Sequence, residues 1–407
     1  MVRRVMPAEG ERVINAQLGI DWSNWDHPTH LAYSQRAMID FWPTEVIGAP
    51  GDALPLVYAG ESLDIERLRL TEPGSARQMS AAQLLERRMY NDALLVMHRG
   101  AVVHESYRNG MLETDRHVNH STTKSLTTLL LGLAIGDGLV DPGAPVTDYL
   151  PQMASLASWR RISVQQALDM RTGLAYEEHY ADPDCICWSY FRATGYYPPQ
   201  ADTLPSYTAW IHRHMHELGC EPGSTFNYAS PITNALGLIA ESVYGQSVAE
   251  LLEEKIYRHI GAESDAWLNL DPSGVAVTEG QLSLRLRDFA RWASLFLNGG
   301  KNLAGQQVVP AAFFEDIVIP REELRQAWRL GEFAPIFPEG QYRNQTYVID
   351  AACSQIAMLG IHGQFTLIDL HRDLLVVGYG SYPVQEDTIL VASLLELWRG
   401  ICSRYPA

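Results

Sequence analysis

Short, uninterrupted runs of apolar residues near both ends of the chain predict β-strands. Residues 94–97 and 102–103 lie on either side of a short turn at Gly100. Residues 365–370 and 374–379 flank a second short polar segment. Apolar runs of this length separated by a few glycine or charged residues are typical of β-hairpins. The sequence therefore predicts one hairpin early in the chain and another near its C-terminus.

Between the two hairpins, apolar residues recur at the spacing of one helix face. The first such segment starts at Ser121 and ends at a glycine-rich stop after residue 135. A last helical pattern follows the second hairpin. The predicted helices cover residues 121–135, 164–170, 231–244, 248–260, 287–297 and 388–401.

This order of strands, helices and strands indicates an α+β fold, in which an antiparallel sheet is assembled from both ends of the chain. We expect the sheet to come from residues of about 90–120 and 275–407, with a helical lobe inserted over about 150–270. Residues 1–80 are rich in Trp, Pro and Gly without sustained periodicity, and they predict an arm packed on the body formed by residues 81–407.

Composition narrows the classes of partner. The chain has 407 residues and a formal net charge of -17, so like-charge repulsion disfavours binding to nucleic acid. No apolar run is long enough to span a membrane, and no secretory signal is visible at the start. Five cysteines at irregular spacing do not resemble a disulfide framework. We therefore expect a cytoplasmic protein, and a homodimer stays open.

Ser121 and Lys124 are the first candidates for catalysis. In Ser121-Thr122-Thr123-Lys124, a spacing of three residues at a helix start puts both side chains on one face. A lysine can deprotonate a serine when burial or nearby positive charge lowers its pKa. The positive end of the helix dipole disfavours the ammonium and favours an oxyanion. Alone, the tetrapeptide also fits an N-cap serine followed by a surface lysine.

Tyr228 is the candidate second base. It lies at the edge of a turn, within Pro222-Gly223-Ser224-Thr225-Phe226-Asn227-Tyr228-Ala229-Ser230, that leads into an apolar helix. A tyrosine beside a lysine has its phenolate favoured and can relay a proton from the nucleophile to the leaving group. The alternative is a core tyrosine bonded to the backbone.

The segment Gly360-Ile361-His362-Gly363-Gln364 is a candidate oxyanion site. Its glycines let a strand edge run close to a bound substrate. The acyl intermediate needs two converging N–H donors, and the amides of Ser121 and Ile361 are the candidates. His362 is a candidate substrate contact, with a structural, hydrogen-bonded histidine as the alternative.

These three elements, in this order, resemble the penicillin-recognising serine hydrolases, which include class C β-lactamases, D-alanyl-D-alanine peptidases and related esterases. The resemblance extends from about Ala93 to the C-terminus. It implies a β-lactamase-like fold, an acyl-enzyme mechanism on a small-molecule amide or ester, and no metal or organic cofactor.

Within that family, the segments 120–125, 178–183, 228–230 and 360–364 resemble the 6-aminohexanoate-dimer hydrolases, which are amidases of nylon oligomers. This likeness implies that Tyr180 covers the site from a mobile loop and binds the substrate amide. It also implies that Ser230 occupies the position where β-lactamases have asparagine, and that Glu279 stands where these hydrolases carry a substrate-contacting asparagine.

The chain also departs from the family. Met358-Leu359-Gly360 replaces the Lys-Thr-Gly of β-lactamases, so the cation that would bind a β-lactam carboxylate is missing. The aspartate expected after the Tyr180 loop is replaced by apolar and aromatic residues around Tyr190-Phe191. These departures predict at most weak β-lactamase activity and leave the natural amide substrate open.

The remaining motifs give weaker evidence about function. His212 and His216 could share a helix face as metal ligands, but no carboxylate or cysteine pattern completes the site, so no metal is expected. The aromatic run over residues 188–197 fits either a substrate pocket or loop packing.

The main hypothesis is therefore a serine hydrolase of small linear amides or carboxyl esters. A carboxylesterase or weak β-lactamase of the same fold is one alternative. A catalytically silent binding module is the alternative from another class.

Overall fold

The computed structural model describes residues 2–7, 13–15 and 19–406. The strands, in chain order, are β1 (Arg3–Val5), β2 (Val13–Asn15), β3 (Ile20–Asp21), β4 (Thr44–Ile47), β5 (Val57–Tyr58), β6 (Arg69–Thr71), β7 (Gln78–Ser80), β8 (Asn91–His98), β9 (Ala101–Tyr107), β10 (His117–Val118), β11 (Ala266–Asn269), β12 (Leu282–Leu284), β13 (Gln341–Arg343), β14 (Thr346–Val348), β15 (Gln355–Gly360), β16 (Gln364–Asp369) and β17 (Leu374–Gly380).

The helices are α1 (Leu31–Ser34), α2 (Ala81–Arg87), α3 (Thr122–Gly136), α4 (Val146–Tyr149), α5 (Val164–Leu168), α6 (Cys187–Ala193), α7 (Tyr207–His214), α8 (Ser230–Tyr244), α9 (Val248–Leu252), α10 (Leu286–Leu297), α11 (Ala311–Ile317), α12 (Glu322–Arg329) and α13 (Thr388–Arg404). Short 3₁₀ turns cover Met38–Asp40, Pro151–Met153, Trp159–Arg161 and Ile361–Gly363.

An eight-stranded sheet joins the two ends of the chain. Its strand order is β13-β14-β15-β16-β17-β8-β9-β5. The neighbours pair antiparallel, apart from β5, which pairs parallel with β9. Both predicted hairpins are confirmed, as β8–β9 and β16–β17, and β17 pairs directly with β8. The sheet therefore depends on contacts between distant parts of the sequence.

The central strands of this sheet are buried on both faces. In β8, Leu95 and Met97 point into the core shared with α3 and α10, while Leu94 and Val96 point into the core shared with α2 and α13. The alternation follows from the two-residue period of a strand. Because both faces are covered, these strands read in the sequence as continuous apolar runs rather than alternating ones.

A second sheet of five strands, in the order β1-β4-β11-β12-β10, lies outside what the sequence predicts. Its strands contain only two to four residues each. Segments this short give no resolvable period, so sequence patterns do not reveal them. The sheet matters for function because β10 leads directly to the start of α3.

The predicted helix at residues 121–135 is confirmed as α3, which begins one residue later at Thr122. Almost every residue of α3 is buried, and the helix packs against α8 and the large sheet. A helix that is apolar around its circumference belongs in the interior of a large domain. Its first turn is therefore held rigidly in the middle of the protein.

The predicted helix over residues 248–260 is interrupted. Helix α9 ends at Leu252, and a π-helical turn covers Glu253–Tyr257. The Glu253 carboxylate accepts hydrogen bonds from the Gly48 backbone amide at 2.9 Å and from Arg258 at 2.6 Å. Such tertiary contacts leave no trace in helical periodicity, so the sequence alone predicts one continuous helix.

No helix in the described part of the chain is both long enough and apolar enough to cross a bilayer.

Candidate active site

Ser121 lies at the junction between β10 and α3. The backbone of Asn119 is fixed to Leu282 of β12 by a 2.8 Å hydrogen bond. His120 then adopts a left-handed conformation with φ of 43°, which costs free energy for a residue other than glycine. After this turn, Ser121 lies at the N-terminal end of α3, where it is half-buried. The backbone therefore presents the hydroxyl at the positive end of the helix.

Lys124 lies one helical turn after Ser121, and its ammonium nitrogen reaches the hydroxyl. Nζ is 2.9 Å from Ser121 Oγ and 2.8 Å from the backbone oxygen of Glu279. Glu279 Oε2 is 3.5 Å away. Only 1% of Lys124 is exposed. Burial lowers the pKa of Lys124, and the nearby Glu279 and Glu178 carboxylates oppose that shift in part.

Tyr228 completes a cluster with Ser121 and Lys124. It lies two residues before α8, and an interaction with the Ser121 side chain acts to lower the pKa of its phenol. Lys124 Nζ lies 5.0 Å from the centre of the Tyr228 ring. The hydroxyl, the amine and the phenol, which are distant in the sequence, therefore meet in one cluster.

The sequence predicts that the phenolate of Tyr228 is favoured, whereas its surroundings in the structure favour the neutral phenol. Burial, and then the Glu178 carboxylate, raise the pKa of Tyr228 well above its ordinary value, although the Ser121 hydrogen bond lowers it. The resting residue is thus a neutral phenol. Between the two candidate bases, Lys124 has the pKa shifted towards the neutral, proton-accepting form.

The end of β15 runs beside the Ser121 amide. A methyl group placed on Gly360 would lie 2.9 Å from the backbone oxygen of Asn119 and 3.1 Å from the Ser121 nitrogen. The next residue, Ile361, borders the same cavity as Ser121. The two amides that we expect to form an oxyanion hole therefore belong to backbone segments in close contact.

Gly360→Ala is expected to lower activity because the added methyl group would push β15 away from the Ser121 amide. The backbone at Gly360, with φ of -135° and ψ of 148°, suits alanine, so the effect would be steric only. We expect a fall of about 100-fold in kcat/KM, the scale of losing one oxyanion donor. Gly60→Ala is the matched control because a methyl group there meets no atom within 4 Å. Equal activity of the two variants would contradict the role assigned to this contact.

A narrow cavity, with room for about one water molecule, opens in front of Ser121 and is walled mainly by aromatic rings. Six of the lining residues are Trp, Tyr or Phe. The lining residues are Trp25, His120, Ser121, Tyr180, Trp188, Phe191, Tyr196, Tyr197, Glu279, Ile361 and Gln385. Part of the aromatic run over residues 188–197 therefore borders the cavity.

Tyr180 and Ser230 are joined through Glu178, which the sequence reasoning did not single out. The Tyr180 hydroxyl donates to Glu178 Oε1 at 2.5 Å, and Ser230 Oγ donates to the same oxygen at 2.7 Å. The Ser230 amide donates to Glu178 Oε2 at 2.9 Å. Tyr180 lines the cavity, whereas Ser230 lies behind it with 1% of its surface exposed. Glu178 thus ties the Tyr180 loop to the first turn of α8.

Glu279 lines the cavity beside Lys124, and one of its carboxylate oxygens has no partner. Its Oε1 is buried without a hydrogen bond among the described residues. Burial raises the pKa of Glu279 from an ordinary 4.5 to about 7, although Lys124 opposes the rise. A carboxyl group with a pKa near neutrality changes charge within the range in which enzymes are assayed.

Glu279→Gln is expected to remove a pH-dependent contribution to stability. Because folding raises the Glu279 pKa, the folded protein binds more protons than the unfolded chain between the two values. The free energy of unfolding should therefore fall as pH rises from about 4.5 to about 7, by at most ~1.4 kcal/mol per pH unit from this group. Urea unfolding from pH 4.5 to 8 measures the slope, with exposed Glu61→Gln as control. An unchanged slope in Glu279→Gln would contradict the prediction.

His362 lies behind the cavity rather than in its lining. It is buried, with a left-handed φ of 59°, and its Nδ1 is 2.9 Å from the backbone oxygen of Tyr382. Its ring lies 5.6 Å from that of His120. Burial lowers the pKa of both histidines. His362 follows Ile361 directly in the chain, and its direct contact with substrate stays a prediction.

The sequence reasoning also missed Trp25 and Gln385, which lie far from every motif. The tryptophan content of the N-terminal segment was visible, but nothing in the sequence pointed those rings to Ser121. The histidines considered for metal lie elsewhere, with His212 Nε2 3.2 Å from Ser155 Oγ.

Known proteins resemble this chain in sequence and in fold. A family model described as Beta-lactamase matches residues 76–377. The 6-aminohexanoate-dimer hydrolase of Paenarthrobacter ureafaciens is 32% identical over 361 residues, which are 88% of each chain.

Solved structures extend the comparison to the fold. A Bacillus anthracis protein, provisionally assigned as a 6-aminohexanoate-dimer hydrolase, superposes with a TM-score of 0.84 at 22% identity and covers 99% of this chain and 100% of its own. A family VIII carboxylesterase gives a TM-score of 0.57 at 18% identity, over 79% of this chain and 95% of its own. The expected α+β, β-lactamase-like fold is confirmed.

Proposed function

Because this chain belongs to the β-lactamase family, we propose that it is a serine hydrolase that cleaves small linear amides or carboxyl esters through an acyl-enzyme. The observation that carries the proposal is the 2.9 Å contact between Lys124 Nζ and Ser121 Oγ, in a buried site that lowers the lysine pKa. The 32% identity to a 6-aminohexanoate-dimer hydrolase supports an amide or ester substrate.

In the proposed reaction, Ser121 Oγ attacks the substrate carbonyl carbon while its proton passes to Lys124 Nζ. The amides of Ser121 and Ile361 stabilise the oxyanion that forms. The bond to the leaving amine or alcohol then breaks, and that group takes a proton from Tyr228, which Lys124 reprotonates. Water attacks the acyl-enzyme by the reverse path, releasing the acid and returning the proton to Ser121.

The charge around the cavity disfavours β-lactams. The position that holds the lysine of β-lactamases is occupied here by Met358, which is buried. The cavity lining instead includes the Glu279 carboxyl group, which would repel an anionic substrate group when it is ionised. Losing one charge-assisted hydrogen bond costs about 1.5–3 kcal/mol, or roughly 10- to 150-fold in kcat/KM. We therefore expect nitrocefin to be a poor substrate compared with simple esters.

A fluorophosphonate probe and a substrate panel test the function. The probe should add one label, at Ser121, in intact-mass and peptide analysis. The panel contains p-nitrophenyl acetate and butyrate, nitrocefin and 6-aminohexanoate dimer, and it ranks esterase, β-lactamase and amidase activities. A chain that neither takes the label nor turns over any of these substrates would instead be the silent binding module.

Two further parts of the proposal concern the setting of the enzyme. The five cysteines are all free, which supports a reducing, cytoplasmic environment. The main binding partner of the enzyme would be its small-molecule amide or ester substrate. A homodimer stays a prediction, which light scattering coupled to gel filtration would test.

A further inference from the structure

Three tryptophans near the N-terminus hold a loop of the cavity wall. The indole N–H groups of Trp22 and Trp42 both donate to the backbone oxygen of Gly195, the first at 2.9 Å. The Trp25 indole donates to the backbone oxygen of Tyr196 at 2.9 Å. Trp25 and Trp42 are buried and Trp22 is partly buried, and indole N–H groups that share one short segment in this way fix its path, because leaving a buried one unpaired costs free energy.

The same loop carries two of the cavity's aromatic walls. Tyr196 and Tyr197 both line the cavity. The Tyr197 hydroxyl donates to Asp26 Oδ2 at 2.7 Å, which adds a fourth hydrogen bond from the N-terminal segment. The position of these rings relative to Ser121 therefore depends on residues that lie 153 to 173 positions earlier in the chain than the loop.

Trp25 itself forms the inner wall. It lines the cavity and is only 1% exposed. Its ring centre lies 6.1 Å from that of His120 and 6.4 Å from that of His362. These histidines flank Ser121 and Ile361, the two residues whose amides are proposed to hold the oxyanion. A group entering the cavity beside the oxyanion site would therefore stop against the Trp25 ring.

In each of these contacts, the N-terminal partner lies outside the part of the chain that the family model matches, whereas the loop partner lies inside it. The family model matches residues 76–377, whereas Trp22, Trp25, Asp26 and Trp42 all precede it. The nucleophile, the lysine and the tyrosine belong to the matched region. The N-terminal segment thus adds a wall to a catalytic core that the family already supplies.

We infer that residues 20–42 are a specificity element, in which Trp25 limits the substrate group bound beside Ser121 to a short, uncharged, apolar chain. This inference rests on the proposed hydrolase function. The aromatic lining favours an apolar group, and Glu279 disfavours an anionic one. Trp25 is a specificity residue, and it takes no part in proton transfer.

The inference is tested by measuring how kcat/KM of the Trp25→Leu variant depends on the length of the substrate's chain. One series varies the acyl chain as p-nitrophenyl acetate, butyrate, hexanoate and octanoate, and a second varies the alcohol as alkyl acetates. The wild type should prefer the short member of at least one series. In Trp25→Leu, the ratio of kcat/KM for the longest to the shortest member of that series should rise about tenfold or more, the scale of methylene discrimination in a pocket. The series that responds identifies the group that lies against Trp25.

Two controls separate selectivity from damage to the fold. Trp267→Leu removes a half-buried tryptophan of β11 outside the cavity lining, and it should leave the ratio unchanged. Trp25→Phe keeps a ring in the wall and should give a smaller shift than Trp25→Leu. If Trp25→Leu does not fold, the rates at which methyl and octyl fluorophosphonates label wild-type Ser121 provide the same comparison, with methyl expected to react faster.

The outcomes distinguish this inference from the proposed function. Absence of Ser121-dependent turnover and labelling in the wild type would overturn both. An active wild type that processes long and short chains equally, or a Trp25→Leu variant with an unchanged ratio, would overturn the specificity role alone.

Discussion

Replacing Ser121 by alanine is expected to lower kcat/KM for p-nitrophenyl acetate by roughly 10⁴-fold or more, because the variant lacks the nucleophile on which the acyl-enzyme depends. Ser121 Oγ makes no capping hydrogen bond to α3, so the fold should not depend on it. Initial rates at saturating and limiting ester measure the loss, and thermal unfolding checks stability.

Ser224→Ala is the matched control for that experiment. Ser224 is exposed, and its hydroxyl bonds only locally, to the backbone oxygen of Glu221 at 2.6 Å. The control should keep wild-type activity and the fluorophosphonate label. If Ser121→Ala kept more than about one hundredth of the activity, a different nucleophile would have to be sought.

Lys124→Met is expected to reduce kcat by about 10³-fold, within the range that general acid–base groups contribute. The methionine keeps the length of the apolar stem but cannot accept the Ser121 proton. The variant should also be less stable near pH 8, because the Glu279 carboxylate would lose its cation in a buried site. Rates and urea unfolding measured on the same preparation give both quantities.

The double variant Lys124→Met/Glu279→Gln separates the two effects. Removing the carboxylate should restore most of the stability lost in the single variant, since no uncompensated charge stays buried. Activity should stay as low as in Lys124→Met. Recovery of activity together with stability would mean that the single variant failed through its structure rather than through the missing base.

The three residues Ser121, Lys124 and Tyr228 could be proposed from the sequence because each lies at an element boundary that the sequence marks. Ser121 and Lys124 open a long, largely apolar helix, and Tyr228 lies at a turn before another apolar helix. Boundaries of this kind can be recognised from short stretches of sequence, because helix periodicity and turn residues mark them. What the pattern could not give was the charge state of Tyr228, which depends on burial and on Glu178.

The cavity wall was not predictable in the same way. The hydrogen bonds from Trp22, Trp25 and Trp42 to residues 195–196 are tertiary contacts between segments without a shared motif. The short strands of the five-stranded sheet were missed for a related reason, since β4 and β11 are defined by their pairing rather than by their own pattern. Local rules identify which residues can react, whereas long-range packing decides what can reach them.

The pairing of β17 with β8 also constrains how the protein is made. Leu374 lies opposite His98 in that pair, so the centre of the large sheet cannot form until β17, far along the chain from β8, has emerged from the ribosome. Until then the apolar edge of the β8–β9 hairpin is open to association with other nascent chains. Biosynthesis at reduced temperature, or with added chaperone capacity, should therefore raise the yield of native enzyme more than any change to the reacting residues.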